Sequence, residues 1–424
     1  MLSKLVRIGV LAFLLDGLTS SLLAQETRPP DSNPPRPPGT ATETQGLLPE
    51  PDIIQRAVIF ADRHFANGEM TEGWYVTSWT MIPGAGWLSL GPGYRRWSDN
   101  DRTFFDASAA LSWHGYATAQ ARFEMPRLAR SRVLVGGQVR LQDYAQVAYF
   151  GEGSDTDTSS RSEYRLQSAN LVGYATFRPL RWFGIDANVG WLRPSIESRG
   201  GFFKGAAADT QSLFPADPVF AVPDAPAFIH AEASATADNR DFAGRPTRGG
   251  VYRAAVSRFS DRDTGVFSFT RYETEMAQFV PLADSRVVLA LHGWLVGSSI
   301  DETRIVPFYL QPALGGHNSL RGYADYRFHD RNMLVVNVEA RVAMMSHVDA
   351  AAFLDAGNVA SRAADLDLDK RSYGVGVRLH SRRQTFARLD VGRSREGWRV
   401  LVQLTDPLNL SRLTRRTAPV PFVH

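Results

Sequence analysis

The 424-residue sequence contains no cysteine. This absence excludes disulfide frameworks, thiolate nucleophiles, cysteine-ligated zinc and attachment through a lipidated N-terminal cysteine. The 47 lysines and arginines nearly balance the 44 aspartates and glutamates, and no basic run interleaved with aromatic residues occurs, which argues against a nucleic-acid partner. The motifs H-E-x-x-H and G-x-S-x-G and a Walker loop are also missing. We therefore expect no enzymatic activity, no metal site and no cofactor.

Long hydrophobic runs are scarce as well. No segment reaches the roughly 20 uninterrupted apolar residues that a membrane-spanning helix needs. The longest apolar run, IGVLAFLLDGLTSSLLA, follows Lys4 and Arg7, is interrupted by Asp16 and ends at Ala24. A basic start, a short apolar stretch and small residues before a cleavage point are typical of a secretory signal. The sequence predicts a signal peptide over residues 1–24 and export of the chain.

The next segment, residues 25–72, is rich in proline and threonine and has few apolar side chains. Such a composition predicts an extended, solvated tether, which after export would lie in the periplasm. Within it, DIIQRAVIFADRHF (residues 52–65) has two open interpretations. It forms either a short helix or plug-like element, or a continuation of the linker.

From residue 73 the apolar residues follow a period of two. In FDASAALSW (105–113), ATAQARFEM (117–125) and FGIDANVGW (183–191), every second side chain is apolar, which predicts β-strands. A soluble sandwich also alternates, but here the polar face carries charges while the apolar face is often small and edged by aromatics. That distribution favours a barrel in lipid, with an apolar outer surface and a polar, hydrated lumen.

Sixteen strands can be counted in this region. They begin near Trp74, Trp87, Phe104, Ala117, Arg132, Tyr164, Trp182, Phe228, Val251, Phe267, Val287, Met333, Val348, Tyr373, Phe386 and Trp398. An even number brings both ends of the barrel to one side, and closure satisfies the backbone hydrogen bonds within the hydrocarbon. The sequence therefore predicts an all-β fold, a 16-stranded antiparallel transmembrane β-barrel over residues 73–410, followed by a C-terminal tail over 411–424.

Connection lengths support this topology. The three longest connections, roughly 151–163, 193–227 and 297–332, follow the fifth, seventh and eleventh strands, whereas RPLR, PLADS and MSH close even-numbered strands. Long loops on one side and short turns on the other are typical of outer-membrane barrels. The connection DNRDFAGRPTRGG, after the eighth strand, is longer than a turn should be.

The aspartate-rich runs DTDTSS and DLDLDK are interpreted as solvated loops, since they lack the glycine and terminal glutamate of a calcium loop.

Several segments together resemble a known family. LGGHNSLRGY, RNMLVVNVEARV and FLDAGNV are similar to the C-terminal barrel of the BamA-type outer-membrane assembly factors, also called the bacterial surface antigen family, and DNRDFAGRPTRGGVYRAAVSRF and YGVGVRL resemble other parts of it. Members have sixteen strands and carry an R-G-Y motif in the loop after the eleventh, the position that the strand count gives. They also carry periplasmic POTRA domains ahead of the barrel, and the stretch 25–72 is too short to hold one.

The most specific part of the resemblance is the R-G-Y motif paired with F-x-D-x-G. The matching residues in this chain are Arg321, Gly322, Tyr323, Phe353, Asp355 and Gly357. We expect the loop that carries Arg321 to fold back into the barrel.

Such an arginine needs a buried acid. The alternation in MLVVNVEARV places Glu339 on the lumen face, and the alternation in VDAAAFLDAG places Phe353 and Asp355 there. From spacing alone, a pairing of Arg321 with these acids and ordinary charge balance in the lumen are equally good interpretations. The family resemblance implies the pairing, which would act as a latch for the loop.

The two end strands form the predicted seam. The first, GWYVTSWTMI, contains two threonines and a serine and has no clean apolar face, and the last, WRVLVQL, soon reaches Pro407, which cannot donate a ladder hydrogen bond. We expect weak closure there and select Thr77, Ser78, Val400 and Val402 as seam positions.

The resemblance implies an outer-membrane protein that helps to insert or translocate proteins, or moves lipid, through this seam. Without POTRA domains it would need a periplasmic or outer-membrane partner to deliver the substrate, which is expected to be an outer-membrane protein. Outer-membrane lipid is the other expected contact. The alternative is a passive pore or a surface-display barrel with no insertase activity.

Overall fold

The computed structural model describes residues 46–65, 72–78, 89–98, 102–198, 207–222, 224–283, 286–404 and 421–422. Within them, sixteen strands of six residues or more lie in one large sheet. These are β1 Gly73–Ser78, β2 Ser89–Ser98, β3 Thr103–Ser112, β4 Ala117–Leu128, β5 Val133–Tyr149, β6 Ser162–Leu180, β7 Phe183–Ser198, β8 Phe228–Asp238, β9 Gly249–Asp261, β10 Phe269–Leu282, β11 Val287–Ser299, β12 Asn332–Met345, β13 Val348–Ala360, β14 Lys370–His380, β15 Thr385–Ser394 and β16 Gly397–Gln403. The predicted signal peptide and Pro407 lie outside the described residues.

Each strand pairs antiparallel with the next one, from β1 through to β16. The prediction of a 16-stranded antiparallel barrel is confirmed, and every predicted strand start lies within three residues of an observed one. Short two-residue strands at Ala208–Asp209, Ala313–Leu314 and Phe328–His329 belong to the loops.

The two faces of the sheet differ in polarity, as the alternation predicts. Leu171, Val189 and Val375 are among the many large apolar side chains exposed on the outer face, where lipid would cover them. Glu124 and Glu275 are buried on the inner face. Pairing between neighbouring strands keeps the backbone hydrogen bonds within the wall, and the apolar outer belt fits a bilayer.

Connections at the two ends of the barrel differ in length. At one end the strands are joined by short turns, such as 129–132, 181–182 and 346–347. The exception at this end is 239–248, after β8. It reaches across the opening, because Gly244 forms a bridge with Gln384 and the guanidinium of Arg245 donates to Asp349 at 3.0 Å. The irregular connection noted in the sequence therefore covers part of the short-turn mouth.

The opposite end is closed by the long loops. Side chains from loops and strand ends form one apolar cluster in the lumen at this end. We call it the aromatic cluster, and its aromatic members from the barrel and its loops are Tyr116, Tyr144, Tyr149, Tyr164, Phe228, Phe259, Phe267, Phe269, Phe308, Tyr309 and Tyr326. Buried side chains of the described loops and strand ends thus pack together in the outer half of the lumen.

Ahead of the barrel, helix α1 spans Asp52–Phe65, the stretch for which the sequence left a helix and a linker open. The preceding residues bind the barrel rim, where the Leu48 amide donates to the Met344 carbonyl at 2.8 Å and Glu50 bonds to His347. No helix among the described residues has the length and apolar content to span a membrane.

Candidate functional site: the inward loop and the seam

The connection after β11, residues 300–331, folds back into the barrel, and we call it the inward loop. Gly315 and Gly316 have φ values of +120° and +89°, a backbone conformation that glycine adopts without strain. A Cβ atom on Gly316 would lie 2.0 Å from the Asp325 carboxylate, so the tight turn also needs the missing side chain. Ser319 secures the turn by accepting from the Gly315 amide at 2.9 Å. This turn delivers Arg321 to the barrel wall.

Arg321 meets both predicted acids. Its Nε and Nη2 atoms donate to the two oxygens of Asp355 at 3.0 and 2.7 Å, and its Nη1 atom donates to Glu339. The backbone amide of Arg321 also donates to Asp355, at 3.0 Å. The arginine side chain is 2% exposed and both carboxylates are fully buried. A guanidinium fork matched to a carboxylate in this way fixes direction as well as distance.

The charges continue along the wall beyond Arg321. Glu339 also accepts from Arg341 at 2.8 Å and from Arg378 at 3.0 Å. Arg378 donates in turn to Asp390 at 2.5 Å, and Asp390 accepts from Arg388 at 2.9 Å. The resulting anchor network consists of Arg321, Glu339, Arg341, Asp355, Arg378, Arg388 and Asp390, carried by the inward loop, β12, β13, β14 and β15.

The network closes back on the loop. Arg388 donates to the carbonyl of His317 at 2.9 Å, and Asn337 donates to the carbonyl of Ser319 at 2.6 Å and to Asp355 at 2.8 Å. Buried charges are tolerated when partners and further hydrogen bonds satisfy them. Removing one member leaves the others in a poor environment, so the network holds the loop in a single position.

The remaining motif residues shape the contact. Phe353 lies under the guanidinium of Arg321, with 3.5 Å between its ring centroid and Cζ, a cation–π geometry. The Gly322 carbonyl accepts from Ser394 at 2.8 Å. A Cβ atom on Gly322 would lie 2.6 Å from Cβ of Ser372, so this glycine permits the close approach of the loop to the wall.

Tyr323 and Gly357 complete the motif residues. Tyr323 is buried and packs edge-on against Phe328, with ring centroids 5.4 Å apart. A Cβ atom on Gly357 would lie 2.4 Å from the carbonyl oxygen of Leu334 on the neighbouring strand. All seven residues predicted for the latch thus lie at the junction of the inward loop with β12 and β13.

A model of the Omp85 superfamily domain matches residues 105–393. The chain belongs to the Omp85 superfamily. It is an outer-membrane β-barrel protein, which makes the short-turn end periplasmic and the long-loop end extracellular. Ahead of this Omp85 barrel, the described residues 46–65 contain one helix and no POTRA-like region.

Two solved structures share the fold. The crystal structure of BamA from Haemophilus ducreyi lacking POTRA domains 1-3 is 14% identical, with a TM-score of 0.58, covering 78% of this chain and 70% of that one. CdiB from Escherichia coli is 13% identical, with a TM-score of 0.50, covering 78% of this chain and 61% of that one. No curated protein sequence matches the chain. At such identities the likeness shows the fold alone.

Sequence reasoning did not find the far half of the anchor network in this Omp85 barrel. Arg378, Arg388 and Asp390 were not selected, although the same two-residue period places them on the lumen face of β14 and β15. The sequence signal that could have revealed two of them is that Arg388 and Asp390 stand at alternate positions of the FARLDVG segment. What the period does not reveal is which charges meet across strands.

A second set of contacts holds the extracellular part of the inward loop. Arg327 donates to Glu396 and to the Thr156 hydroxyl, each at 2.7 Å, and Gln311 donates to Glu152 at 2.7 Å. These partners lie in the loops after β5 and β15. The loop is therefore fixed at two levels, at the wall and at the extracellular surface.

The seam positions lie on different faces. In β1, Trp74 and Val76 are exposed on the lipid face whereas Thr77 is buried in the lumen. The expectation that the first strand has no clean apolar face is wrong for these residues, because Trp74 and Val76 alternate with the half-buried Tyr75 and with Thr77.

On the other side of the seam, Val400 and Val402 are exposed on the lipid face of β16. The structure therefore does not bring Thr77 to their face, which Trp74 and Val76 of β1 share. Ser78 is the last residue of β1. Among the described residues of these two strands, no β-ladder joins β1 to β16.

The ladder between β2, the neighbour of β1, and β3 is interrupted. In the pairing of β2 with β3, Leu90 lies opposite Leu111 and Gly93 opposite Ser108, and the residues between them have no partner on β3. One of these is Pro92, which has no N–H to donate. The ladder between β2 and β3 is thus broken at this point.

Proposed function

We propose that this Omp85 protein assists the insertion or translocation of proteins at the outer membrane by opening the seam between β1 and β16. The observation that carries the proposal is the anchor network, which braces the wall from β12 to β15, next to the seam. A barrel that opens laterally needs one wall that stays in place while the other moves. The proposal assigns no enzymatic reaction to the barrel.

The mobile side would be the β1–β2 hairpin. The gap in the β2–β3 ladder at Pro92 lowers the cost of bending this hairpin away, because fewer hydrogen bonds must break. Opening would expose the edge of β1 as a template for an incoming strand.

The substrate class that fits such an edge is an unfolded outer-membrane protein. Its strands would add to the edge of β1 by main-chain hydrogen bonds, which are independent of side-chain sequence. We propose that a periplasmic or outer-membrane partner delivers the substrate. Lipid that enters the same gap would be a second cargo of the open seam.

A reversible lock tests the proposal. Cysteines replace Val76→Cys and either Val400→Cys or Val402→Cys, using the chain's lack of native cysteine and choosing the pair that oxidises more completely. Liposomes containing the protein should fold a urea-unfolded outer-membrane barrel faster than empty liposomes, as measured by the gel mobility of unheated samples. Oxidation should abolish the acceleration and reduction should restore it.

The matched control is a disulfide that does not cross the seam. Val377→Cys with Leu389→Cys joins two residues that lie directly opposite each other on β14 and β15, and both are exposed on the lipid face. Oxidation of this pair should leave the acceleration intact. If the seam-locked barrel accelerates folding as well as the reduced one, lateral opening is refuted and a passive pore or surface-display role takes its place.

A further inference from the structure

The aromatic cluster contains one residue that belongs to neither the barrel nor its loops. Phe422, from the C-terminal tail, is 4% exposed and packs in this cluster. Its neighbour Pro421 presents its carbonyl oxygen to Nη1 of Arg271 on β10, at 3.1 Å. Residues 421–422 are therefore bound in the lumen at the extracellular half of the barrel.

Arg271 lies in the lumen and has unusual hydrogen-bond partners for a buried arginine. It is buried, yet among the described residues no carboxylate lies within ion-pair distance of it, whereas Arg321 has two. Its partners are carbonyl groups: Nη2 donates to Leu310 of the inward loop, and Nη1 donates to Pro421. The guanidinium lies 5.3 Å from the ring centroids of both Phe259 and Phe269, which stack on each other. Main-chain carbonyls and an aromatic side chain are what an extended peptide supplies.

The place where Phe422 packs can be located from the strands. The aromatic cluster lies near the extracellular ends of β9 and β10, which carry Phe259 and Phe269.

We propose that the lumen contains a peptide-binding site, formed by Arg271, Phe259, Phe269 and the Leu310 carbonyl, and that Pro421 and Phe422 of the same chain occupy it and narrow the lumen. The site takes an extended segment with a proline before an aromatic residue. Proline suits this place because it has no N–H that would need a partner inside an apolar cluster. The inference does not depend on opening of the seam.

Single-channel conductance in planar bilayers tests the site. Phe422→Ala in the full chain, and a variant lacking residues 421–424, should each show a larger mean conductance than the wild type. The control is Phe105→Ala, which removes an aromatic ring from the lipid face and should leave conductance unchanged. Unheated gel mobility establishes that each barrel is folded.

Peptide addition gives a second measurement that does not depend on how well any variant folds. The heptapeptide APVPFVH, which has the sequence of residues 418–424, should lower the conductance of the shortened variant when added on the periplasmic side. With alanine in place of the phenylalanine, the half-blocking concentration should rise by about tenfold or more, since a buried aromatic contact is lost. An Arg271→Met barrel should also be blocked less by the unmodified peptide.

Two outcomes would overturn the inference. One is a wild-type conductance in both folded tail variants, and the other is a peptide that has no effect on the shortened barrel. Both measurements are independent of the seam. Oxidised Val76→Cys/Val400→Cys protein should show the same peptide block, so failure of the seam proposal leaves this result unaltered.

Discussion

Removal of Arg321 gives the sharpest test of how the inward loop is held. In Arg321→Ala, Glu339 keeps Arg341 and Arg378 as partners. Asp355 loses both guanidinium hydrogen bonds and retains only neutral donors, which include Asn337 at 2.8 Å. The cost of the substitution therefore falls mainly on Asp355, a fully buried carboxylate.

The magnitude follows from that asymmetry. Breaking a buried ion pair by removing one partner costs about 3–5 kcal/mol, because the other charge stays buried. At 1.4 kcal/mol for each factor of ten, the equilibrium constant for opening of the loop should rise by roughly 100-fold to 4,000-fold. Removing Arg321 and Asp355 together should cost less than the sum of the single substitutions, with a coupling of about 0.5–3 kcal/mol.

Limited proteolysis of the folded barrel measures this opening. Chymotrypsin is suitable because the substitution leaves its target residues Tyr323, Tyr326 and Phe328 intact, whereas trypsin would lose a site at position 321. When opening and closing are fast relative to cleavage, the cleavage rate reports the opening equilibrium. The matched control is Arg304→Ala in the same loop, whose ion pair with Asp301 is exposed to solvent and contributes at most about 1 kcal/mol.

One result would refute the reasoning. If Arg321→Ala and Arg304→Ala are cleaved at the same rate as the wild type, the buried network does not hold the loop. If both variants are cleaved equally fast, the loop is held by its extracellular contacts and any charge change weakens it.

Two further predictions concern the same loop. Gly322→Ala keeps every charge but places a Cβ atom 2.6 Å from Ser372, so we expect loosening worth about 1–3 kcal/mol, whereas Gly173→Ala, with nothing within 4 Å, should behave as the wild type. Burial raises the pKa of Asp330 to about 6, well above the value of about 3.9 in an unfolded chain. The folded loop therefore binds this proton more tightly, and its protease protection should increase as pH falls from 7.5 to 5. Asp330→Asn should remove that pH dependence, and an unchanged slope would contradict the assignment.

Much of the fold follows from the sequence because one physical constraint acts at every second residue. A side chain on a barrel strand faces either lipid or lumen, so Val189 and Glu124 reveal their faces by polarity alone. The same constraint placed Glu339, Phe353 and Asp355 inward. Loop length then identified the side from which Arg321 enters the barrel.

The remaining contacts could not be predicted because they depend on relations between distant segments. Arg378 and Asp390 were visible as lumen residues, but the bridge that Arg378 forms between Glu339 and Asp390 depends on side-chain reach across neighbouring strands. The lumen position of Phe422 has no periodic signal, since the tail lacks strand alternation. The opposite faces of Thr77 and Val400 were derivable from the period, but the first strand was expected to have no clean apolar face, so the two positions were not assigned to faces.

The chemistry of the anchor network explains how the wall from β12 to β15 can be held in one arrangement while another part of the barrel is held less tightly. Apolar contacts are non-directional, so a loop held only by them could shift along the wall. The two hydrogen bonds from Arg321 to Asp355 permit one orientation, and Arg378 bridges Glu339 and Asp390 so that β12, β14 and β15 carry one shared set of charges. Separating these strands would uncover several buried charges at once. If the seam opens as proposed, strain at the barrel wall would be released at the β1–β2 hairpin, beside the gap in the β2–β3 ladder at Pro92.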